Sequence, residues 1–165
     1  MVTRNRILAA FGFILLAWGL WYLFPTRERQ VRRQMNALAQ WASKDAGEGA
    51  LAAVQAAREA KDFFADPCEW QADAFNLSGQ VAPDEIARYE FAARSRFDTL
   101  SVKLYDLSID FSQDGAAHVT TTVRVEGTSK EADPVNETHE VRGTLAKQDG
   151  KWLLKKVTVV EVLRK

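Results

Sequence analysis

Cysteine, histidine and proline are all scarce: one Cys, two His and four Pro occur in 165 residues. A lone thiol, Cys68, excludes an internal disulfide framework and a multi-thiolate zinc site. His118 and His139 are too few for a histidine-rich metal centre, and the sequence implies neither a metal nor a cofactor. With 47% apolar and 27% charged residues, the chain lacks the composition of a disordered segment. It also lacks a Gly-rich phosphate loop, an internal repeat and any low-complexity tract. Net charge is absent too, with 22 basic and 22 acidic residues, but the balance hides a split. Residues 1–33 hold six Arg and one Glu, a net +5, which leaves residues 34–165 with 16 basic and 21 acidic residues, a net −5. An acidic domain has little surface for neutralising phosphates, so nucleic acid is not an expected partner.

What the chain does have is a long uncharged run. Residues 7–24, ILAAFGFILLAWGLWYLF, carry no charge over 18 positions. As a helix they span roughly 27 Å, close to the hydrocarbon thickness of a bilayer. Arg4 and Arg6 precede the run; Pro25, Arg27 and Arg29 come after it. Trp18, Trp21 and Tyr22 sit at its C-terminal end, where amphipathic rings favour headgroups. No small-residue pair succeeds the run to make a cleavage site, which argues against a removable leader. Residues 1–25 therefore read as an uncleaved membrane anchor, with the lipid bilayer as the partner of residues 7–24. Two orientations stay open. The short basic tail resembles a signal-anchor that exports the domain behind it. Arg27, Arg29, Arg32 and Arg33 favour a cytoplasmic domain. The reading adopted is a single-pass cell-membrane protein with an extracytoplasmic domain.

Residues 26–165 read as one α+β domain. Val31, Met35, Leu38 and Ala39 recur at helical spacing after Thr26, a plausible N-cap, and Trp41 closes this first helix. A second helix is expected from about Ala50 to Ala65, with Leu51, Val54 and Ala57 on its apolar side. Asp66-Pro67 stops it. Residues 68–79 suggest a short strand and a Ser78-Gly79 turn. A third helix runs from Pro83 to about Phe97, with Ile86, Tyr89, Ala93 and Phe97 facing inward. The period then changes from 3.6 to 2. Four strands are expected at Leu100–Phe111, Ala116–Glu126, Val135–Lys147 and Trp152–Leu163. Asp114-Gly115 and Asp149-Gly150 supply hairpin turns. Apolar parity switches between Leu104 and Leu107, and again between Leu154 and Val157. A β-bulge in each strand absorbs such a slip and bends the sheet.

The segments KDFFADPCEW, SGQVAPDEIARYEFAAR and DGKWLLKKVTVVEV, in this order, resemble the nuclear transport factor 2-like superfamily. That superfamily includes ketosteroid isomerase, scytalone dehydratase and polyketide cyclases. The resemblance covers residues 28–165. With the anchor, it implies an N-terminal transmembrane helix and then a cone-shaped domain, three helices on a curved antiparallel sheet, with a pocket in the cone. It also implies what an enzyme of this kind would need. The isomerase places a Tyr on the first helix, whereas Arg27–Ser43 contains none. Asp73 lies near the position of that enzyme's basic Asp. Dehydratase-type members use a His/Asp pair; His139 shares strand parity with Val135 and Val141, but Asp106 and Asp110 lie on the next-but-one strand.

The candidate pocket residues are thus Trp70, Asp73, Tyr89, Tyr105 and His139. Aromatics at these spacings are more often core, and a strand histidine is more often structural than catalytic. The favoured reading is a membrane-tethered, non-catalytic binding or assembly module whose partner is a protein or a small apolar ligand, and a homodimer is compatible with it. The alternative is a small cone-pocket lyase, isomerase or hydrolase. A deep polar cavity with His139 or Asp73 at its base would discriminate between them.

Overall fold

The computed structural model describes residues 26–72, 77–129 and 134–160. Its elements in chain order are α1 (Arg27–Ala42), α2 (Ala50–Glu59), a 3-10 turn (Ala60–Asp62), β1 (Phe64–Ala72), β2 (Leu77–Val81), α3 (Pro83–Arg96), β3 (Phe97–Phe111), β4 (Ala117–Ser129), β5 (Val135–Gln148) and β6 (Lys151–Val160). The architecture is α+β, three helices on a curved six-stranded sheet. The chain divides into residues 1–30 and 31–165. Of the first unit, only the opening turn of α1 is described. Among the described residues no helix is long and apolar enough to cross a membrane. The run 7–24, on which the anchor expectation rests, lies outside them.

Thr26 starts α1: its hydroxyl accepts the Arg29 N–H at 3.3 Å and its carbonyl accepts the Gln30 N–H at 3.1 Å. Such a cap satisfies donors that a helix start leaves orphaned. The expected apolar stripe is the buried one, with Val31, Met35, Ala39 and Trp41 in the core.

The second helix differs from expectation. It ends at Glu59, and Phe64 opens β1 rather than continuing a helix. Leu51 and Val54 are exposed, at 80% and 44%, while Ala56 and Ala60 are buried. The alanine side of α2 permits the closer approach. There the Trp41 indole N–H donates to the Ala56 carbonyl at 2.7 Å, and larger side chains on that face would hold the helices apart. The third helix is also rotated relative to the expected face. Ile86, Ala87 and Arg94 are buried, whereas Tyr89 is 55% exposed and Ala93 is exposed. The stripe at 83, 86, 87, 90 and 94 keeps helical spacing but ends in charge.

The strands from β3 to β6 form the expected antiparallel meander, in the sheet order β2-β1-β6-β5-β4-β3. The sheet is not antiparallel throughout, because β1 pairs with β6 in parallel, Trp70 opposite Val157. This arises because β1 and β2 form a hairpin of their own, after which α3 carries the chain to the far edge at β3. Ser78 and Gly79 lie within β2, paired with Gln71 and Trp70, and do not form a turn. Asp149 and Gly150 have φ of 48° and 83°, the two positive values that a two-residue hairpin turn requires.

Both expected bulges are present. Tyr105 faces Thr122 and Ser108 faces Thr120, so Asp106 and Leu107 together oppose Thr121. Asp106 takes a φ of 53° there. On β6, Leu154 faces Leu145 and Lys156 faces Thr144, which leaves Lys155 as the extra residue. Trp152 and Leu154 before that bulge, and Val157 after it, are all buried.

Candidate functional site

Strand register selects the side chains that face the helices. Val119, Thr121 and Val123 alternate onto one face of β4. Gly143 and Val141 of β5 lie opposite the first two, and Val157 and Val159 of β6 continue the rows. Trp70 of β1 extends the Val157 row. The two bulges bring Leu104 and Leu154 onto the same face, and Met35, Leu38 and Ala39 of α1 cover it. These residues line a cavity of about 220 Å³ between α1 and the sheet. The glycine is a packing requirement: a Cβ at Gly143 would stand 2.9 Å from side-chain carbons of both Leu154 and Val119.

The lining is apolar. Among the described residues none of its side chains is titratable. Two of its polar side-chain groups are committed within the protein. The Thr121 hydroxyl donates to the Tyr105 carbonyl at 2.8 Å, and the Trp41 indole to Ala56. The Trp70 indole nitrogen is buried without a hydrogen-bond partner. Burial pushes the Cys68 thiol up to about 11, against the lowering effect of Trp70 and with a small addition from Glu69. A buried thiol with a raised pKa is a poor nucleophile.

The candidate residues do not converge. Trp70 lines the cavity. Tyr89 lies outside the lining, exposed on α3, with its hydroxyl 3.2 Å from Glu85 Oε1. Tyr105 is 44% exposed and also outside it. His139 pairs across the sheet with Val123 and lies two residues outward from Val141 on β5, at the half-buried end of the cone. Its Nε2 is 3.1 Å from Glu137 Oε2. Asp73 lies outside the described residues. Asp106 and Asp110 are exposed on β3, Asp110 opposite His118, so neither forms a dyad with His139. His118 is exposed, with Nδ1 3.2 Å from the Thr144 hydroxyl. Among the described residues no group of three or more His, Cys, Asp or Glu side chains is placed to hold a metal ion.

Sequence reasoning missed a buried ionic node on the helical side. Arg94, 5% exposed, pairs with Glu90 one turn earlier and with Glu48 from the loop after α1. It also donates to the backbone carbonyls of Trp41 and Ser43. Lys44 Nζ reaches back to the Arg94 and Phe97 carbonyls at 2.9 and 2.6 Å. Only the Glu90–Arg94 spacing was legible, as an ordinary i, i+4 pair. Arg94, Glu48, Asp45 and Glu59 also border a larger cleft of about 680 Å³ between α1 and α2. There the arginine's charge is used within the fold.

Solved structures confirm the architecture. A protein of Novosphingobium aromaticivorans provisionally assigned as a scytalone dehydratase superposes with a TM-score of 0.66 at 20% identity, covering 80% of this chain and 81% of that one. A nuclear transport factor 2-like protein of Cytophaga hutchinsonii gives 0.61 at 11% identity, covering 83% and 99%. ActVI-ORFA of Streptomyces coelicolor gives 0.59 at 15% identity, covering 79% and 93%. These likenesses establish the nuclear transport factor 2-like fold of the domain, and a shared fold does not fix a shared chemistry. No protein-family model and no curated protein matches the sequence.

Proposed function

We propose that the chain is a membrane-tethered, non-catalytic binding or assembly module that holds an apolar ligand in its cone. The observation that carries this reading is the 220 Å³ cavity, which no titratable side chain lines among the described residues. Acid–base catalysis needs a proton donor or acceptor within hydrogen-bond reach of the reacting atom. An apolar enclosure whose polar side chains, among the described residues, are one hydroxyl and two indoles offers no such titratable group, but it favours hydrocarbon. The tether in this proposal is the uncharged run 7–24, and the domain stands on the extracytoplasmic side. A compartment-sensitive reporter fused after Lys165 tests that side: activity confined to the cytoplasm reverses it.

A second reading, a small cone-pocket lyase, isomerase or hydrolase, is favoured by the contact between His139 and Glu137 at the outer end of the cone. The two readings separate in a genetic complementation test. Under the binding reading, His139→Ala and Asp73→Asn restore function to a strain lacking the chain, while Val141→Phe, which fills the cavity, does not. A general acid or base contributes about 10²–10⁴-fold to a rate. Loss of function in a folded His139→Ala or Asp73→Asn protein therefore establishes the enzyme reading instead.

A further inference from the structure

We infer that the ligand of the cone is a mostly hydrocarbon molecule with one acceptor oxygen, carbonyl or ether, and that this oxygen accepts from the Trp70 indole N–H. This rests on the binding reading above and narrows its ligand class. Trp70 borders the cavity, and its Nε1 is buried with no partner. A buried donor left unpaired is rare and costs free energy until an acceptor arrives. The Thr121 hydroxyl donates to the Tyr105 carbonyl and the Trp41 indole to the Ala56 carbonyl. Trp70 is therefore the spare side-chain donor of the lining among the described residues. It stands near enough to Cys68 to favour a thiolate there, but that thiol keeps its proton up to about 11. A protonated thiol is a weak acceptor. A water needs two to four polar partners, whereas a ligand oxygen needs only this one.

Strand register gives the orientation. Trp70 of β1, Val157 of β6, Gly143 of β5 and Val119 of β4 form one row across the sheet. The row carries a donor at its Trp70 end and only apolar side chains beyond it. At Gly143 the space is taken by Leu154 and Val119, whose side-chain carbons stand 2.9 Å from where a Cβ would be. The ligand's oxygen therefore lies at the β1 end, and its hydrocarbon part meets Val157, Leu154 and Val119. Phe64, with its ring centroid 6.0 Å from that of Trp70, and Val157 on the next strand hold the indole in place. One fixed polar group in an apolar pocket is what sets a ligand's orientation. The size sets a limit. Benzene occupies an apolar cavity of about 150 Å³, so by proportion 220 Å³ accommodates about eight or nine non-hydrogen atoms.

The experiment is a calorimetric titration of the full-length chain in phospholipid nanodiscs, with empty discs subtracted, using acetophenone and α-methylstyrene. The two share a shape, and a CH2 group replaces the carbonyl oxygen in the second. Water expels a hydrocarbon more strongly than a ketone, so the ratio of the two affinities is compared between the parent and Trp70→Phe, which removes the N–H and keeps a ring. The expected result is that Trp70→Phe weakens acetophenone about tenfold relative to α-methylstyrene, the size of one buried hydrogen bond. Where Trp70→Phe does not fold, the infrared carbonyl stretch of acetophenone bound to the parent decides, and it is expected below its frequency in a hydrocarbon solvent. A ratio that Trp70→Phe leaves unchanged, or in the second case a stretch at the hydrocarbon value, overturns the inference while the apolar-binding reading stands. Binding of α-methylstyrene without acetophenone has the same meaning. If neither compound binds, the inference and the binding reading fall together.

Discussion

One guanidinium nitrogen of Arg94, in α3, donates to the Ser43 carbonyl 2.8 Å away, just past the end of α1. The two residues are 51 positions apart in sequence. The same side chain meets Glu48 and Glu90, so a single buried cation joins α1, the loop after it and α3. A charge taken out of water requires this density of partners.

Arg94→Ala leaves Glu48 and Glu90 facing each other without a counter-ion. The expected loss is about 3–5 kcal/mol, the range for breaking a buried pair. Arg94→Lys recovers little, because an ammonium cannot reproduce the fork that spans two carboxylates and two carbonyls. Urea denaturation of both variants measures this. A cost below about 1 kcal/mol for Arg94→Ala would mean the node is solvated.

Trp152 is buried at the start of β6, with its ring centroid 6.0 Å from that of Phe111. Replacement by Ala should cost about 3–5 kcal/mol, as for other buried large aromatics. Thermal unfolding monitored by circular dichroism gives the value. A variant as stable as the parent contradicts the placement of this strand.

Asp106 sits in the left-handed region at the β3 bulge. Glycine has no steric penalty there, whereas a β-branched residue has a large one. Asp106→Gly should leave stability unchanged or slightly higher, and Asp106→Val should lower it by roughly 1–3 kcal/mol. Equal stabilities of the two variants would remove the bulge from the account of sheet curvature.

The Cys68 thiol is raised to about 11 in the folded chain, against roughly 8.5 for a free thiol. Linkage gives the sign. Below the unfolded value both states keep the proton, and the stabilising contribution is complete. As pH rises from about 8.5 towards 11, the unfolded state loses its proton first and stability declines. Urea midpoints of the parent should therefore fall more steeply over this range than those of Cys68→Ala. Parallel curves for the two proteins would show the thiol to be solvated.

Much of this fold was legible because apolar residues recur at the period of the element they build. Val31, Met35 and Ala39 mark the buried side of α1, and the parity switch at Leu104–Leu107 marks a bulge. The second helix was misread at Phe63 and Phe64, which extend an apolar stripe by type while the chain has already turned into β1. Tyr89 was misplaced for a different reason. Its face of α3 is apolar enough to be buried, but Arg94 on another face finds Glu48 and the ends of α1, and those contacts set the rotation. The cavity was only half legible. The parities of Val141 and Val157 were readable along their strands, but whether facing side chains meet or leave a gap depends on packing at the ångström scale, which no periodicity encodes.

The most direct test of the central claim is a crystallographic structure of the chain under xenon pressure. Apolar cavities of this size stay dry and take up xenon. The account predicts a xenon atom among Val119, Leu154 and Trp70, with no ordered water beside it. A chain of ordered waters running into the cone from His139, with no xenon bound, would contradict it and make the site polar.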